Sequence, residues 1–412
     1  MQVAVFHPGT QHSWQTALAL QELDLLAWYA TSIFYKPDEF PYRLERMLPG
    51  GIGRRLHQEF RRFSHPGLDP AKVRTVGLIE WLERIAHRSG FRGAARRLDR
   101  YGNKRFVLNI AEALRSEEPF ALWGFSGSSL SSFAFAKETG RTCLLDRTIG
   151  DARAYNSAMA AVQASHGEWF LETERSIPET SIENDQLEYE LADTILVGSE
   201  FAGDTIRDSA GAAVAAKVRI LPYCYDEALF TTLPPPRPVP RDRPLKFLFV
   251  GQVNPRKGIH HLLEAIARIP PKAATLTIVG DLRIPRETFS RYADRVDYRP
   301  TVPRSAIPAI MSEHHVLVFP SYFEGSALSL LEALAAGLGI IQTRASGNGA
   351  TGASGLVLAA PGTESLYAAM MAAIEDRSLV DCWRAAAQSE ARNYSFANYR
   401  DNIGNLLKEL AG

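Results

Sequence analysis

The stretch PSYFEGSALSLLEALAAG (residues 320–337) places two glutamates eight positions apart across the start of an apolar helix. It follows HHVLVFP (residues 314–320), whose β-branched and aromatic side chains predict a buried strand. The predicted order is therefore a strand, a glycine-containing loop, and a helix from about Ser326. In a parallel α/β sheet such a loop lies at the carboxyl end of a strand, where these sheets bind their ligands.

The loop and the helix start form a candidate anion site. The first N–H groups of a helix have no intrahelical acceptor and carry the positive end of the helix dipole. We therefore expect the backbone amides of Ser326, Ala327 and Leu328 to bind a phosphate group. Gly325 would let the backbone approach that phosphate closely.

Two glutamates flank this site, Glu324 before the helix and Glu332 on its third turn. Because a carboxylate repels a phosphate, we interpret both as acceptors of hydroxyl hydrogen bonds at the two ends of a bound diphosphate. Glu324 would accept from a sugar and Glu332 from a ribose, so the implied ligand is a nucleotide sugar. The alternative is a surface glutamate and a helix glutamate with this spacing by chance.

A second segment, LKFLFVGQVNPRKGIHHLLEAI (residues 245–266), repeats the order of strand, glycine turn and helix. Gly251 ends its strand, and Arg256 and Lys257 lie at the turn, so we expect these residues at the same edge of the sheet as Glu324. Arginine offers a planar fork to phosphate oxygens and lysine a compact charge. Together they could neutralise a leaving diphosphate without a metal ion, the alternative being a solvated pair of surface charges.

Taken together, these segments resemble the retaining glycosyltransferases of the two-Rossmann-domain (GT-B) architecture, specifically glycosyl transferase group 1, family 4. The matching motifs of the second half are VGQVNPRKG (250–258), TLTIVGD (275–281) and FEGSALSLLEALAAG (323–337). Those of the first half are LLDRTIGDARAY (144–155), LEYELADTILVGSEFAGDTI (187–206) and KVRILPYCYDEALF (217–230). The resemblance implies an α/β fold of two Rossmann-like, doubly wound domains that face a cleft.

The resemblance also implies a retaining, metal-independent hexosyltransferase. It would move a sugar from a nucleoside-diphosphate sugar to a glycan or to a polyprenyl-diphosphate-linked acceptor. Arg256, Lys257 and the amides after Gly325 would stabilise the departing diphosphate, and Glu324 would orient the sugar. The sequence offers no DxD motif for a Mg²⁺-dependent transferase, so we expect no metal and no cofactor besides the donor. A GT-B-fold sugar-nucleotide epimerase and an inactive GT-B scaffold that partners an active transferase remain as alternatives.

One motif points to a different class of enzyme. GNGATG (347–352) matches the dinucleotide-binding pattern GxGxxG, but the strand-like GLVL (355–358) follows where that pattern needs a helix. The sequence therefore does not predict an NAD enzyme. The resemblance instead implies that this loop closes over the donor sugar.

In the first half of the chain, Gly9 and Thr10 follow the first predicted strand, where they could meet a phosphate or the acceptor. The resembled family has a double-glycine loop here, and the sequence PGTQ departs from it. Many relatives also carry a histidine at the end of the strand that reads TCLLDR (142–147), where this chain has Asp146. His166 could supply an imidazole instead, although a lone helical histidine is more often structural or exposed.

The length of 412 residues and the apolar content of 46% suit two domains. The segment LPPPRPVPRDRP (233–244) holds prolines that fit neither a helix nor a central strand, so it predicts a stiff linker. We predict an acceptor-side domain at 1–232, a nucleotide-sugar-binding domain at 245–392 and a C-terminal helix at 393–412. The resemblance implies that this helix crosses back to the first domain, the alternative being a helix packed on its own domain.

Charge is unevenly distributed along the chain. The formal net charge is zero, which gives a nucleic-acid partner no support. Residues 43–105, called the basic arm below, nevertheless carry 16 Lys and Arg against 6 Asp and Glu, mixed with apolar side chains. The arm predicts contact with an anionic membrane surface or a lipid-diphosphate acceptor, the alternative being a solvated helix face.

Cysteine usage and hydropathy bear on the compartment. The three cysteines are far apart, without CxxC or Cys/His spacing, which favours a reducing environment and argues against a zinc or disulfide framework. The sequence shows neither a signal-peptide pattern nor an uncharged apolar run of the ~20 residues that span a bilayer. We expect a cytoplasmic protein, peripheral on the inner face of the plasma membrane if the basic arm binds lipid.

Overall fold

A computed structural model of the protein describes residues 1–9, 12–61, 63, 65, 67–75, 110, 111 and 113–411. Strands and helices alternate along the chain, and the strands form one seven-stranded and one six-stranded sheet. This confirms the predicted α/β fold with two doubly wound sheets. No helix among the described residues is long and apolar enough to cross a bilayer.

The strands of the first sheet are β1 (Val3–Phe6), β2 (Leu26–Thr31), β3 (Val73–Thr75), β4 (Ala121–Phe125), β5 (Cys143–Arg147), β6 (Thr194–Val197) and β7 (Val218–Ile220). They are ordered β3-β2-β1-β4-β5-β6-β7. The pairs β1–β2, β1–β4, β2–β3 and β4–β5 are parallel. Strand β5 lies within TCLLDR (142–147), where the sequence predicted a strand.

The strands of the second sheet are β8 (Leu245–Val250), β9 (Ala274–Val279), β10 (Val296–Arg299), β11 (Val316–Phe319), β12 (Gly339–Thr343) and β13 (Gly355–Leu358). Their order is β10-β9-β8-β11-β12-β13, and all five neighbouring pairs are parallel. The chain proceeds from β8 outward to β10, then returns to place β11 on the other side of β8. The order therefore reverses between β8 and β11, and ligands of open α/β sheets bind at such a switch point.

The helices connect these strands. In the first half they are α1 (Ser13–Glu22), α2 (Leu44–Met47), α3 (Gly50–Arg61), α4 (Leu130–Glu138), α5 (Ala152–His166), α6 (Glu179–Leu191), α7 (Glu200–Ser209) and α8 (Ala212–Ala215). In the second half they are α9 (Ile259–Ala267), α10 (Arg286–Ser290), α11 (Ile307–Ser312), α12 (Leu328–Ala335), α13 (Thr363–Glu375), α14 (Arg377–Ala391) and α15 (Phe396–Glu409). The proline-rich segment 233–244 forms neither a helix nor a strand.

The chain groups into two compact units, each built from more than one segment. Unit 1 comprises Met1–Asp146, Glu183–Leu196 and Arg400–Gly412. Unit 2 comprises Arg147–Ile182 and Val197–Tyr399. The domain boundaries that the sequence suggested, with their linker at 233–244, stay predictions.

The centre of unit 2 is apolar and closely packed. All four residues of β11 are buried, and the side chains of Phe249 on β8 and Phe319 on β11 stack with ring centroids 5.7 Å apart. Helices α9 and α12 cover this part of the sheet with leucine and isoleucine side chains that are fully buried. Because both strands are fixed by this packing, the loops that leave their carboxyl ends start from a rigid base.

One glycine allows the two loops to touch. Gly258 has a φ of +66°, in the left-handed region, and a Cβ atom built on it would lie 2.0 Å from the carbonyl oxygen of Pro320. A side chain at this position would therefore push the turn after β8 away from the start of the loop after β11. The backbone contact depends on the missing Cβ atom.

We predict that Gly258→Ala destabilises the protein by about 3 kcal/mol or more, because it adds a backbone clash to the strain of a left-handed alanine. Gly140→Ala is the matched control, since Gly140 has a φ of +69° but no atom within 4 Å of the added Cβ. The control should lose only about 1–2 kcal/mol. Urea denaturation measures both losses, and equal losses would show that the close approach to Pro320 is not a constraint.

Candidate functional site

The candidate site is built from the two loops at the switch point of the second sheet. The first runs from Gly251 to Gly258 after β8, and the second from Pro320 to Ala327 after β11. The strands are parallel neighbours, so both loops leave the same edge of the sheet. The sequence predicted this meeting of Arg256, Lys257 and Glu324, and the structure brings these three side chains together.

Arg256, Lys257 and Glu324 form a compact group of charges, called the ion cluster below. One carboxylate oxygen of Glu324, Oε1, lies 2.7 Å from an arginine nitrogen of Arg256 and 2.8 Å from Nζ of Lys257. The Arg256 guanidinium also donates to the carbonyl oxygen of Phe323 at 2.7 Å. Nζ of Lys257 further lies 4.6 Å from the ring centroid of Phe319.

Burial makes these charges strongly dependent on one another. Glu324 and Lys257 are each less than a tenth exposed. Burial alone would raise the pKa of Glu324, but the positive charges of Lys257 and Arg256 outweigh it and hold that pKa below its ordinary value. Burial lowers the pKa of Lys257, which the negative charge of Glu324 opposes. The cluster carries two positive charges and one negative charge, so it retains a net charge of +1.

Local hydrogen bonds position the two loops. The side-chain oxygen of Asn254 accepts from the backbone N–H of Lys257 at 3.1 Å, which caps the 3₁₀ turn Pro255–Lys257. The carbonyl oxygen of Arg256 accepts from the backbone N–H of Tyr322 at 2.8 Å. The Ser321 hydroxyl lies 3.1 Å from that carbonyl and 2.9 Å from Oε1 of Glu324. These contacts join the loops directly, independent of any ligand.

The predicted anion site has a more specific geometry than the sequence suggested. Helix α12 begins at Leu328 rather than about Ser326, because Ala327 is extended and its N–H donates to the carbonyl oxygen of Ser346 at 3.2 Å. The Ser326 hydroxyl oxygen is buried and has no hydrogen-bond partner among the described residues. The role of the Ser326, Ala327 and Leu328 amides in binding phosphate stays a prediction.

Gly325 lies against the backbone that follows β5. A Cβ atom at this position would lie 1.9 Å from the carbonyl oxygen of Thr148. The carbonyl oxygen of Gly325 accepts from the hydroxyl of Ser199. The glycine is therefore required by protein packing in unit 2, whether or not a ligand also approaches it.

Glu332 has a different environment from Glu324. The later helix start places it on the second turn of α12, where its Oε1 lies 3.2 Å from a guanidinium nitrogen of Arg304. Burial raises the pKa of Glu332, the Arg304 charge opposes the rise, and the negative charge of Asp226 adds to it. The side chain of Arg304 is 46% exposed, whereas Glu332 is buried, so only the arginine end of this pair reaches the protein surface. Sequence reasoning missed Arg304, which belongs to no recognisable motif.

The predicted site residues of the first half belong to unit 1. Gly9 follows β1, and its N–H donates to Nδ1 of His7 at 2.9 Å, so this amide is used within its own loop. Asp146 is buried near the end of β5. Thr10 lies outside the residues that the structure describes. The proposed contacts of Gly9, Thr10 and Asp146 with substrate stay predictions.

Unit 1 also contains a helix start that is already occupied by an anion. The buried carboxylate of Glu188 accepts from the backbone N–H groups of Gly127, Ser129 and Leu130 at 2.9, 2.8 and 3.0 Å, at the start of α4. Glu188 lies in LEYELADTILVGSEFAGDTI (187–206), one of the segments that carry the family resemblance, but no sequence pattern predicted this contact. Because the protein supplies its own carboxylate here, a phosphate is excluded from these amides.

The glycine-rich loop 347–352 is held by side chains of unit 2. Gln342 donates to the carbonyl oxygen of Gly347 at 2.9 Å and accepts from the N–H of Ala350 at 2.8 Å. Asn348 donates to the carbonyl oxygen of Gly198 at 2.6 Å. The loop lines a cavity of about 210 Å³ together with residues that include Ser199 and Arg344.

We predict that Glu324→Gln destabilises the protein by about 3–5 kcal/mol at pH 7, because it leaves the buried Lys257 and the partly buried Arg256 without their carboxylate. Glu332→Gln is the matched control and should cost no more than about 1 kcal/mol, since its partner Arg304 is half exposed. Urea denaturation of both variants measures the two losses. Similar losses would contradict the assignment of the ion cluster as a buried, interdependent group.

The pH dependence of the free energy of unfolding gives a second test of the role of Glu324. The folded-state pKa of Glu324 lies below its ordinary value of 4.5, so its contribution to stability is complete above about pH 4.5 and is lost as the pH falls through the folded value. The difference in unfolding free energy between wild type and Glu324→Gln should therefore shrink only below pH 4.5. A difference that already shrinks near neutral pH would contradict the lowered pKa.

Comparison with known proteins gives a family match in the segment that carries the site. Residues 244–376 match the family model of glycosyl transferases group 1, which confirms the predicted resemblance over this segment. The O-antigen chain mannosyltransferase B of Escherichia coli is 24% identical over 173 residues, which are 40% of this chain and 45% of that protein. The curated relatives are matched over 38% to 60% of their own lengths.

Solved structures resemble the chain over its whole length. Sucrose-phosphate synthase of Thermosynechococcus elongatus has a TM-score of 0.66 at 17% identity, covering 100% of this chain and 99% of that one. HepE of Anabaena, solved in complex with UDP, has a TM-score of 0.62 at 14% identity, covering 99% and 100% of the two chains. At these identities the likeness shows the fold, which is the predicted GT-B fold.

Proposed function

We propose that this protein is a retaining, metal-independent glycosyltransferase that uses a nucleoside-diphosphate sugar. The observation that carries the proposal is the ion cluster of Arg256, Lys257 and Glu324 at the switch point of the second sheet. It lies within the segment that matches the glycosyl transferase family. The acceptor we propose is a glycan or a polyprenyl-diphosphate-linked sugar.

The charge of the ion cluster suits a departing diphosphate. Its net charge of +1 is fixed in a partly dry environment, where an electrostatic interaction is stronger than in water. Glu324 holds both cations in place before the donor binds, so little reorganisation is needed as negative charge develops on the leaving group. The phosphate itself would accept the proton of the acceptor hydroxyl, so neither glutamate acts as a nucleophile.

The two glutamates have separate assignments in this proposal. The contacts of Glu324 with Arg256, Lys257 and Ser321 all fall on Oε1, and we assign the other oxygen, Oε2, to a hydroxyl of the transferred sugar. Glu332 pairs with a half-exposed arginine, and we assign its carboxylate to the ribose. HepE was solved with UDP and with UDP-glucose, which makes UDP-glucose the first donor to test.

A surface of unit 1 supports a lipid-linked acceptor. Large apolar side chains are exposed around α2 and α3: Phe40, Met47, Leu48 and Ile52. Arg54 and Arg55 are exposed on α3, beside Ile52 in the chain. Apolar side chains that enter the boundary of a bilayer, next to arginines that meet anionic headgroups, match the chemistry of a peripheral membrane surface. Arg62 and residues 76–105 of the basic arm lie outside the described residues.

We predict that Arg256→Ala or Lys257→Ala lowers turnover by roughly 10²-fold, because each removes one cation from the departing diphosphate. The assay follows sugar transfer, or donor hydrolysis without acceptor, using the nucleotide sugar that raises the melting temperature most among UDP, GDP, ADP and TDP sugars. Arg268→Ala is the matched control, because Arg268 is an exposed arginine paired with Glu364.

Three outcomes would contradict this proposal. Turnover of the wild type should persist in EDTA, and a loss that Mg²⁺ restores would overturn the metal-independent mechanism. A wild-type protein that binds a nucleotide sugar but neither transfers nor hydrolyses it would favour the inactive scaffold. Interconversion of the sugar without its release would favour the epimerase.

We predict that the protein sediments with phosphatidylglycerol vesicles at low ionic strength and is released as salt is added, at ~1 kcal/mol per basic residue that reaches the surface. Arg54→Glu with Arg55→Glu should abolish sedimentation. Arg283→Glu with Arg291→Glu is the charge-matched control in unit 2 and should leave it intact. If the wild type does not sediment with these vesicles at low salt, the acceptor is a soluble glycan.

A further inference from the structure

Three histidines from two helices of unit 2 lie side by side. His166 is the last residue of α5, and His260 and His261 lie in the first turn of α9. Their ring centroids are 4.1 to 5.3 Å apart. One ring nitrogen of each lies within 4.8 Å of the others, the only such grouping of metal-ligating side chains found among the described residues.

Two of these imidazoles are uncharged at neutral pH. Burial, with a smaller contribution from the neighbouring histidines, lowers the pKa of His260 to about 2 and that of His261 to about 4. A neutral imidazole presents a lone pair, which is the form that binds a metal ion. His260 and His261 therefore each have one ring nitrogen with a lone pair at neutral pH.

Hydrogen bonds fix the tautomer of His261. The Thr363 hydroxyl donates to a carboxylate oxygen of Glu264 at 2.6 Å, so its oxygen accepts from Nδ1 of His261 at 2.8 Å. Nδ1 therefore carries the proton, and Nε2 keeps its lone pair, which accepts from the Tyr322 hydroxyl at 2.6 Å. A metal-binding histidine typically donates its other ring N–H to a polar partner that fixes the ring. Here Nδ1 of His261 donates to the Thr363 hydroxyl, which Glu264 holds in turn.

His260 supplies an independent observation. The ring is fully buried, yet its Nδ1 has no hydrogen-bond partner in the part of the chain that the structure describes. A buried polar atom without a partner is costly, so such atoms are rare unless water, an ion or a ligand satisfies them. The ring that carries this nitrogen lies 4.1 Å, centroid to centroid, from the ring of His261.

We propose that His166, His260 and His261 bind a divalent transition-metal ion, with Zn²⁺ as the first candidate, through one ring nitrogen each. Zinc–nitrogen bonds of about 2.0–2.1 Å put tetrahedral ligands about 3.4 Å apart, so the nitrogens must move closer together than they are here. His166 is partly exposed at the end of its helix, and its side-chain hydrogen bond is to the adjacent Ser165, so this ring can rotate toward the other two. Metal binding would also require the Tyr322 hydroxyl to release Nε2 of His261.

The ion would act as a clamp rather than as part of the transfer chemistry. It would tie the end of α5 to the start of α9, and α9 begins directly after the turn that carries Arg256 and Lys257. Three imidazoles leave the fourth position of the ion for water. Imidazole ligands suit zinc, copper, nickel and iron, whereas Mg²⁺ and Ca²⁺ prefer oxygen ligands, so the site should discriminate against the latter.

The test uses untagged full-length protein stripped of metal with a chelator. Competition with a chromophoric zinc chelator should give one Zn²⁺ per chain, and Zn²⁺ should raise the melting temperature while Mg²⁺ should not. His166→Ala should weaken Zn²⁺ binding by at least tenfold, and His166→Cys should retain it because a thiolate is also a zinc ligand. His57→Ala is the control, since His57 lies in unit 1 and pairs with Glu45.

A second variant keeps the proposal falsifiable if His166→Ala is poorly folded. Thr363→Val removes the hydroxyl that orients His261 and should lower Zn²⁺ affinity roughly 10- to 100-fold. The proposal is overturned if wild type shows no Zn²⁺-dependent rise in melting temperature. It is equally overturned if His166→Ala and Thr363→Val bind Zn²⁺ as tightly as wild type and His57→Ala.

Discussion

The structure of unit 2 depends on one buried carboxylate that is shared by two cations. Glu324 bonds Arg256 and Lys257 through a single oxygen, and these residues belong to loops that follow different strands. Neither loop could bury its charges alone, because an unpaired charge in a dry environment costs several kcal/mol. The ion cluster therefore holds the two loops in one geometry, and the backbone contacts around Gly258 and Tyr322 support it.

The sequence predicted the framework of this arrangement because its signals are local. A short apolar run followed by a glycine and an amphipathic helix identifies one strand, loop and helix, and repetition of that pattern implies a parallel sheet. The carboxyl ends of parallel strands share one edge, so residues after β8 and β11 had to be close in space. Arg256, Lys257 and Glu324 could be assigned to one site on that argument alone.

The contacts that set the chemistry could not be predicted in the same way. The pairing of Glu332 with Arg304 and the contact of Ser321 with Glu324 depend on side-chain directions that no spacing encodes. Helix α12 starts at Leu328, later than predicted, because the N–H of Ala327 donates to the carbonyl oxygen of Ser346 in another loop. His166 gave the weakest signal of all, because its neighbours lie more than ninety residues away in the chain.

Glu324 and Glu332 are identical side chains whose neighbours give them different properties. Burial pushes the pKa of both upward, but Glu324 has two close cations and Glu332 has one half-exposed arginine and a nearby aspartate. Glu324 is therefore held ionised and cannot leave its partners without leaving the buried Lys257 and the partly buried Arg256 unpaired. Glu332 can exchange its surface partner for hydroxyl groups at much lower cost. The two carboxylates thus differ through the cations beside them, two close ones for Glu324 and one half-exposed arginine for Glu332.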